Sequence, residues 1–165
     1  MPVTAYSSPS PLSNKKLYTI LKATLIAGSL DIIFALTQFY IKTQKSPVLV
    51  LRYIASAVFG KSANNDGAVM PAVGLLFHYL VVLGWVTIFF LIYPKIILVI
   101  KNSIVAGLLY AIVIWLGMSF VVLPLTLVPS RSLQIQQALI AILILMVAIG
   151  LPLGLIMKKY YQRPQ

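Results

Sequence analysis

The sequence predicts an all-α polytopic membrane protein: four transmembrane helices plus one short helix, re-entrant or interfacial, between spans one and two. Three observations predict it. Hydrophobic residues make up 61% of the chain and charged residues 9%, against about 25% charged in a soluble domain. Four apolar runs each reach the roughly 20 residues that a crossing helix needs. The basic residues fall mostly between or beside those runs, where membrane proteins keep them. That placement argues against nucleic acid as a partner despite a net charge of +11. The chain has no cysteine, which excludes disulfides, thiolate zinc, iron–sulfur clusters and a thiol nucleophile. The 165 residues therefore read as one membrane domain, residues 17–159, between short polar ends.

Residues 1–16, MPVTAYSSPSPLSNKK, carry three prolines and five Ser or Thr before Asn14 and read as a disordered tail. The first span follows at 17–41. Lys22 interrupts it and can snorkel to the near interface. A secretory core would be only about 7–15 residues long, so an uncleaved first span is expected. Lys42 to Lys45 leaves the membrane.

The short helix, 47–60, has both ends written in. Ser46 suits an N-cap, Pro47 the first helical position and Gly60 the stop. Its thirteen or so residues give only ~20 Å at 1.5 Å each, too short to cross. It could be re-entrant, lie flat, or cover the outer end of the bundle. A helix lying flat usually has a strongly charged face. This one offers Arg52, Ser56 and Tyr53, so partial burial against the spans is expected. The run Lys61–Gly67 then reads as a turn, because Asn and Asp tolerate left-handed geometry and Gly supplies it.

Span two is expected at 68–93, ended by Tyr93-Pro94-Lys95. Span three is expected at 103–123 and is stopped by Pro124. Span four is expected at 133–157, and Pro152 should kink it. Residues 160–165 form a C-terminal tail; Lys158 to Arg163 is a basic, aromatic interface anchor. Four spans put both termini on one side. That side holds Lys15, Lys16, Lys22, Lys95, Lys101, Lys158, Lys159 and Arg163; the other holds Lys42, Lys45, Arg52, Lys61 and Arg131. Eight against five predicts cytoplasmic termini.

The inventory for chemistry is short: two acids and one histidine. Ser56, His78 and Asp31 could be written as a triad, but no nucleophile elbow supports it. No phosphate loop, paired-carboxylate motif or converging metal-ligand set is present. No cofactor and no catalytic residue are assigned. Asp31 stands out, because a mid-span carboxylate costs roughly 2.5–3.5 kcal/mol on insertion scales and usually faces the bundle interior. It lies ten residues before Ile41, and His78 lies ten residues after Ala68. Both are then about 15 Å below the same surface, level on adjacent antiparallel spans. Asp31, Arg52, Ser56 and His78 form the candidate buried polar cluster. It reads either as a proton or solute site, or as an interhelical bond that fixes packing. Gly150 and Gly154 form a small-xxx-small pair, a candidate helix-contact face within the bundle or between copies. Trp85 and Trp115, away from the interfaces, read as packing residues.

The fragments Gly28-Ser-Leu-Asp31, Arg52-Tyr-Ile-Ala-Ser56 with Gly60, Gly74-Leu-Leu-Phe-His78, Gly107-Leu-Leu-Tyr110 and Met118 to Thr126 together carry a resemblance. The chain resembles a group of small, uncharacterised four-span bacterial inner-membrane proteins with a short helix after the first span. The resemblance implies the architecture and a multi-pass inner-membrane location, and transfers no catalytic role. The expected function is that of a non-enzymatic accessory or interaction protein, with a small-solute or proton-coupled carrier using Asp31, His78 and Arg52 as the alternative. The expected partners are the lipid bilayer and either further copies of the chain or a larger membrane complex.

Overall fold

Long apolar runs that satisfy their own backbone hydrogen bonds are the stable form of a chain in lipid, and this chain folds accordingly. The structure, a computed structural model, describes residues 14–64, 67–127 and 134–161. The tail before Asn14, the Asn65-Asp66 turn, the Arg131 link and the last four residues lie outside the described residues. Five helices follow one another: α1 (Asn14–Thr43), α2 (Val48–Phe59), α3 (Val69–Ile100), α4 (Ser103–Leu125) and α5 (Ile135–Tyr161). All but α2 are long and apolar enough to cross a membrane, and no strand occurs among the described residues. This is a multi-pass membrane protein.

The helices differ from the sequence expectation mainly at their ends. Helix α1 begins at Asn14, inside the stretch read as tail. At the start of α2 the Ser46 side chain makes no cap; its carbonyl instead accepts from Leu49 N at 3.1 Å. Gly60 closes α2 with φ +58°, a conformation that favours glycine.

The largest difference is in α3, which does not stop at Tyr93 but runs through Pro94 to Ile100. Pro94 has no N–H, so the carbonyl of Phe90 loses its helical partner. Tyr161, at the end of α5, donates its Oη–H to that carbonyl in a long bond of 3.4 Å. Its ring also stacks on Tyr93 at 5.0 Å. The proline is therefore accommodated by a residue from the far end of the chain. This packing also keeps Tyr160 and Tyr161 helical rather than in the expected tail. The turn from α3 to α4 is then only two residues long. Lys101 takes the left-handed conformation at φ 56°, and the Asn102 side chain caps Ile104 N and Val105 N.

Two wide, π-helical turns interrupt the last two spans, at Met118–Val122 and Met146–Gly150. The second directly precedes Pro152, which cannot donate to Ala148. The wider turn absorbs that mismatch. The first begins beside Gly117, where the Trp85 indole occupies the space a β-carbon would fill, 2.3 Å from its position. The indole N–H meets the sulfur of Met118 at 3.4 Å.

The core lies toward the end of the bundle that holds the α3–α4 turn and the end of α5. It brings together Ala23 and Ala27 of α1, Val86, Phe89 and Tyr93 of α3, Tyr110 and Ile114 of α4, and Ile149, Leu153 and Met157 of α5. At the opposite end, no residue of Met118–Leu125 or Ile135–Leu145 is fully buried, though Met118, Ile144 and Leu145 pack partly against the core. Helix α2 fills part of that outer region.

Candidate functional site

Helix α1 turns one stripe inward. Ile20, Ala23, Thr24, Ala27, Gly28 and Ile32 are buried, and Asp31 and Ala35, on the same stripe, are half-buried. The stripe follows the three- and four-residue spacing of a helix face. The flanking lysines give its depth. Lys22 and Lys42 stand twenty residues apart, about 30 Å along the axis, which is the thickness of the hydrocarbon core. Asp31 falls almost midway between them.

His78 approaches from α3 and is 9% exposed. Its Nε2 lies 2.9 Å from the carbonyl oxygen of Gly28. A carbonyl can only accept, so Nε2 carries the hydrogen and donates it to Gly28. Gly28 also permits the neighbouring Tyr79 ring to approach: a β-carbon there would come within 2.9 Å of it. Next along each helix, Ser29 Oγ and Tyr79 Oη share a hydrogen bond of 2.8 Å, and the His78 and Tyr79 rings meet edge-on at 5.4 Å. Asp31 lies one helical turn beyond Gly28 on the same stripe of α1 and is half-buried. Among the described residues its carboxylate accepts no hydrogen bond and has no cation within 4.0 Å. The structure thus sets His78 against Gly28, one helical turn from Asp31, with no ion-pair contact within 4.0 Å between the His78 and Asp31 side chains.

It does not bring Arg52 and Ser56 to them. Helix α2 packs on the outer part of α3, and the contacts step down α3 as α2 advances. Arg52 Nη2 donates to the Gly67 carbonyl at 2.8 Å. The Leu51 backbone lies against Gly74, and Phe59 stacks on Phe77 at 6.1 Å. Ala55 is fully buried in this contact. Arg52 therefore points to the outer turn, and Ser56 bonds the Tyr53 carbonyl of its own helix at 2.7 Å. The end of α4 joins the assembly through Leu127 N to the Ala57 carbonyl, 3.0 Å.

Gly150 and Gly154 face α4 within the bundle. Their backbones lie against Gly107 and Ser103, and a β-carbon on Gly107 would come 2.1 Å from the Gly150 carbonyl oxygen. Trp85 and Trp115 both pack within the chain, Trp85 on Tyr110 at 6.4 Å and Trp115 on Phe120 at 6.2 Å.

Several contacts had no local signal in the sequence. Tyr93 Oη meets Ser103 Oγ at 2.7 Å, and Tyr110 Oη donates to the Trp85 carbonyl at 2.8 Å. Buried Thr24 leaves its Oγ1 without a hydrogen-bond partner. Among the described residues no group of three or more His, Asp or Glu could hold a metal ion. Two open grooves are lined almost wholly by apolar side chains and do not touch Asp31. One, about 200 Å³, runs between α3 and α4 along Ile92, Ile96 and Leu109. The other, about 430 Å³, lies on α1 along Tyr18, Lys22 and Leu25.

No protein-family model matches this chain, and neither a curated protein nor a solved structure is similar to it. Its class, an all-α multi-pass membrane protein, rests on the four spans alone.

Proposed function

We propose that the chain is a non-enzymatic accessory or interaction protein of a bacterial inner membrane, akin to the small four-span group it resembles. One observation supports this reading above the rest: four side-chain hydrogen bonds inside the spans hold helix to helix. His78 is tied to Gly28, Ser29 to Tyr79, Tyr93 to Ser103 and Tyr110 to Trp85. Such bonds fix packing, at a measured average near 0.6 kcal/mol each in membrane proteins. The eight-to-five distribution of basic residues supports cytoplasmic termini.

The carrier reading is favoured by one specific feature, the Asp31 carboxylate without a hydrogen-bond donor at mid-membrane. Two measurements separate the readings. Native mass spectrometry after mild extraction should give a complex of fixed stoichiometry, with itself or with another membrane protein. A strict monomer that carries a pH-driven flux in proteoliposomes, lost in Asp31→Asn, would replace the accessory reading with the carrier. Reporter fusions at both termini should read cytoplasm and one at Ser62 the outside; opposite sides for the two termini would overturn the orientation.

A further inference from the structure

We propose that the start of α1 carries a binding site for one anionic diacyl phospholipid. Its phosphate is held by Lys22 and Tyr18, and an acyl chain lies along Leu21, Leu25 and Ile26. Such a site goes beyond the accessory reading and would serve a carrier equally well.

The groove supplies the shape. It measures about 430 Å³ and is lined, among the described residues, by Tyr18, Leu21, Lys22, Leu25 and Ile26. All five are exposed. Their three- and four-residue spacing makes them one outward stripe of α1, opposite the stripe that buries Ala23, Ala27 and Gly28. Lys22 lies six residues in from Lys16, about 9 Å along the axis. That is the edge of the hydrocarbon as the Lys22–Lys42 spacing sets it. In a helix each Cα–Cβ bond tilts toward the N-terminus. The Lys22 stem therefore climbs toward Tyr18 and the headgroups, and its ammonium meets a phosphate while the stem stays in the groove. Leu25 and Ile26, one turn deeper, face the hydrocarbon, where an acyl chain covers them.

The surrounding charge selects the headgroup. Helix α1 begins, α3 turns into α4 and α5 ends at this same end of the bundle, and α1 packs on the last segment of α5. Exposed Lys15 and Lys16, Lys95 and Lys101, and Lys158 and Lys159 gather there with Lys22. The chain's two acids lie elsewhere: Asp31 at mid-span and Asp66 between α2 and α3 in the sequence. No side-chain carboxylate therefore offsets the lysines at this end. A zwitterionic headgroup would add an ammonium to the cluster, whereas a phosphate diester of an uncharged alcohol brings only negative charge. A free phosphate would meet the lysines but leave the apolar stripe uncovered.

Native mass spectrometry of the full chain reads the site, with phosphatidylglycerol and phosphatidylcholine of the same acyl chains titrated in turn. One phosphatidylglycerol should bind more tightly than further copies and more tightly than phosphatidylcholine. Lys22→Gln should weaken that first binding about fivefold, the usual effect of one lysine at an anionic membrane surface. Lys42→Gln removes the same charge from the other end of α1 and should leave the binding unchanged. Both side chains are exposed, so neither substitution disturbs the core. Glycerol phosphate, which has the charge without the chains, should not displace the lipid. Equal binding of the two lipids, equal effects of the two lysine variants, or displacement by glycerol phosphate would each overturn the proposal.

Discussion

The seam between α4 and α5 is a backbone-to-backbone contact with no room for a β-carbon, and Gly107→Ala tests it. A β-carbon at Gly107 would lie 2.1 Å from the Gly150 carbonyl oxygen and 3.0 Å from the Gly154 nitrogen, whereas ordinary contact begins at 3.4 Å. The obstructing atoms are backbone, so no side chain can swing aside. The helices must part by more than 1 Å locally. In lipid, such packing is a main force joining helices, because lipid tails are as apolar as the side chains. Overpacking of this kind costs typically 1–3 kcal/mol, offset in part by the 0.5–1 kcal/mol that alanine gains over glycine within a helix. Gly84 supplies the control, since a β-carbon there meets nothing within 4 Å. Gly84→Ala should be neutral or stabilising. Thermal unfolding in detergent, followed through Trp85 and Trp115, should show Gly107→Ala below Gly84→Ala by several degrees, at about 2–4 °C per kcal/mol for a chain this size. Equal midpoints for the two variants would refute the close-packed seam.

Three further outcomes follow from the contacts. Gly74→Ala would place a β-carbon 1.9 Å from the Leu51 carbonyl oxygen, so α2 should lift off α3. A single cysteine at Ala55, buried in the parent, should then become reactive in a chain otherwise free of cysteine, and continued protection would count against the contact. Tyr161→Phe removes the long donor to the Phe90 carbonyl and should cost about 0.5 kcal/mol, the low end for a hydrogen bond. The loss should shrink in a Pro94→Ala background, where the restored N–H takes over; an unchanged loss would mean the hydroxyl does not serve the proline. Asp31→Leu and His78→Leu should be non-additive in stability by on the order of 0.6 kcal/mol or more. Additivity within about 0.3–0.5 kcal/mol would show them to be independent.

The spans were legible because hydrocarbon imposes a length and a composition, and the lysines flank the apolar runs. Asp31 and His78 could be given similar depths because counting from a common surface is a one-dimensional problem; that His78 would bond the Gly28 backbone had no such signal. Arg52 could not be placed. The rotation of a short helix about its own axis depends on what it packs against, and α2 packs through Ala55 and the bare backbone at Gly74. Neither residue has a polar signal. The end of α3 was misplaced for a related reason. Pro94 does remove a hydrogen bond, as the local rule says. The donor that answers it, Tyr161, lies 71 residues from its acceptor Phe90, beyond the reach of any local pattern. Gly150 and Gly154 marked a contact face by their spacing, but spacing does not name the partner. Gly107 became the partner only once α4 and α5 were adjacent.

These contacts divide the bundle unevenly, and the division bears on what the polar contacts at mid-membrane can do. The inner part is held by aromatic packing and by glycines whose backbones touch. At mid-membrane and outward, the α1–α3 contact depends on few groups: His78 on Gly28, Ser29 on Tyr79, and the Tyr79 ring over the bare Gly28 backbone. Outside that point α4 and α5 have no fully buried side chain. A change of charge at Asp31 or His78 therefore falls where packing is thinnest. A rigid glycine seam does not yield to a fraction of a kcal/mol. An outer half held by two side-chain hydrogen bonds and a covering helix does. Loss of the His78 contact with Gly28, in His78→Leu, should therefore loosen the α1–α3–α2 corner. Cysteine accessibility in that variant should rise at Ala55 and stay unchanged at Leu153.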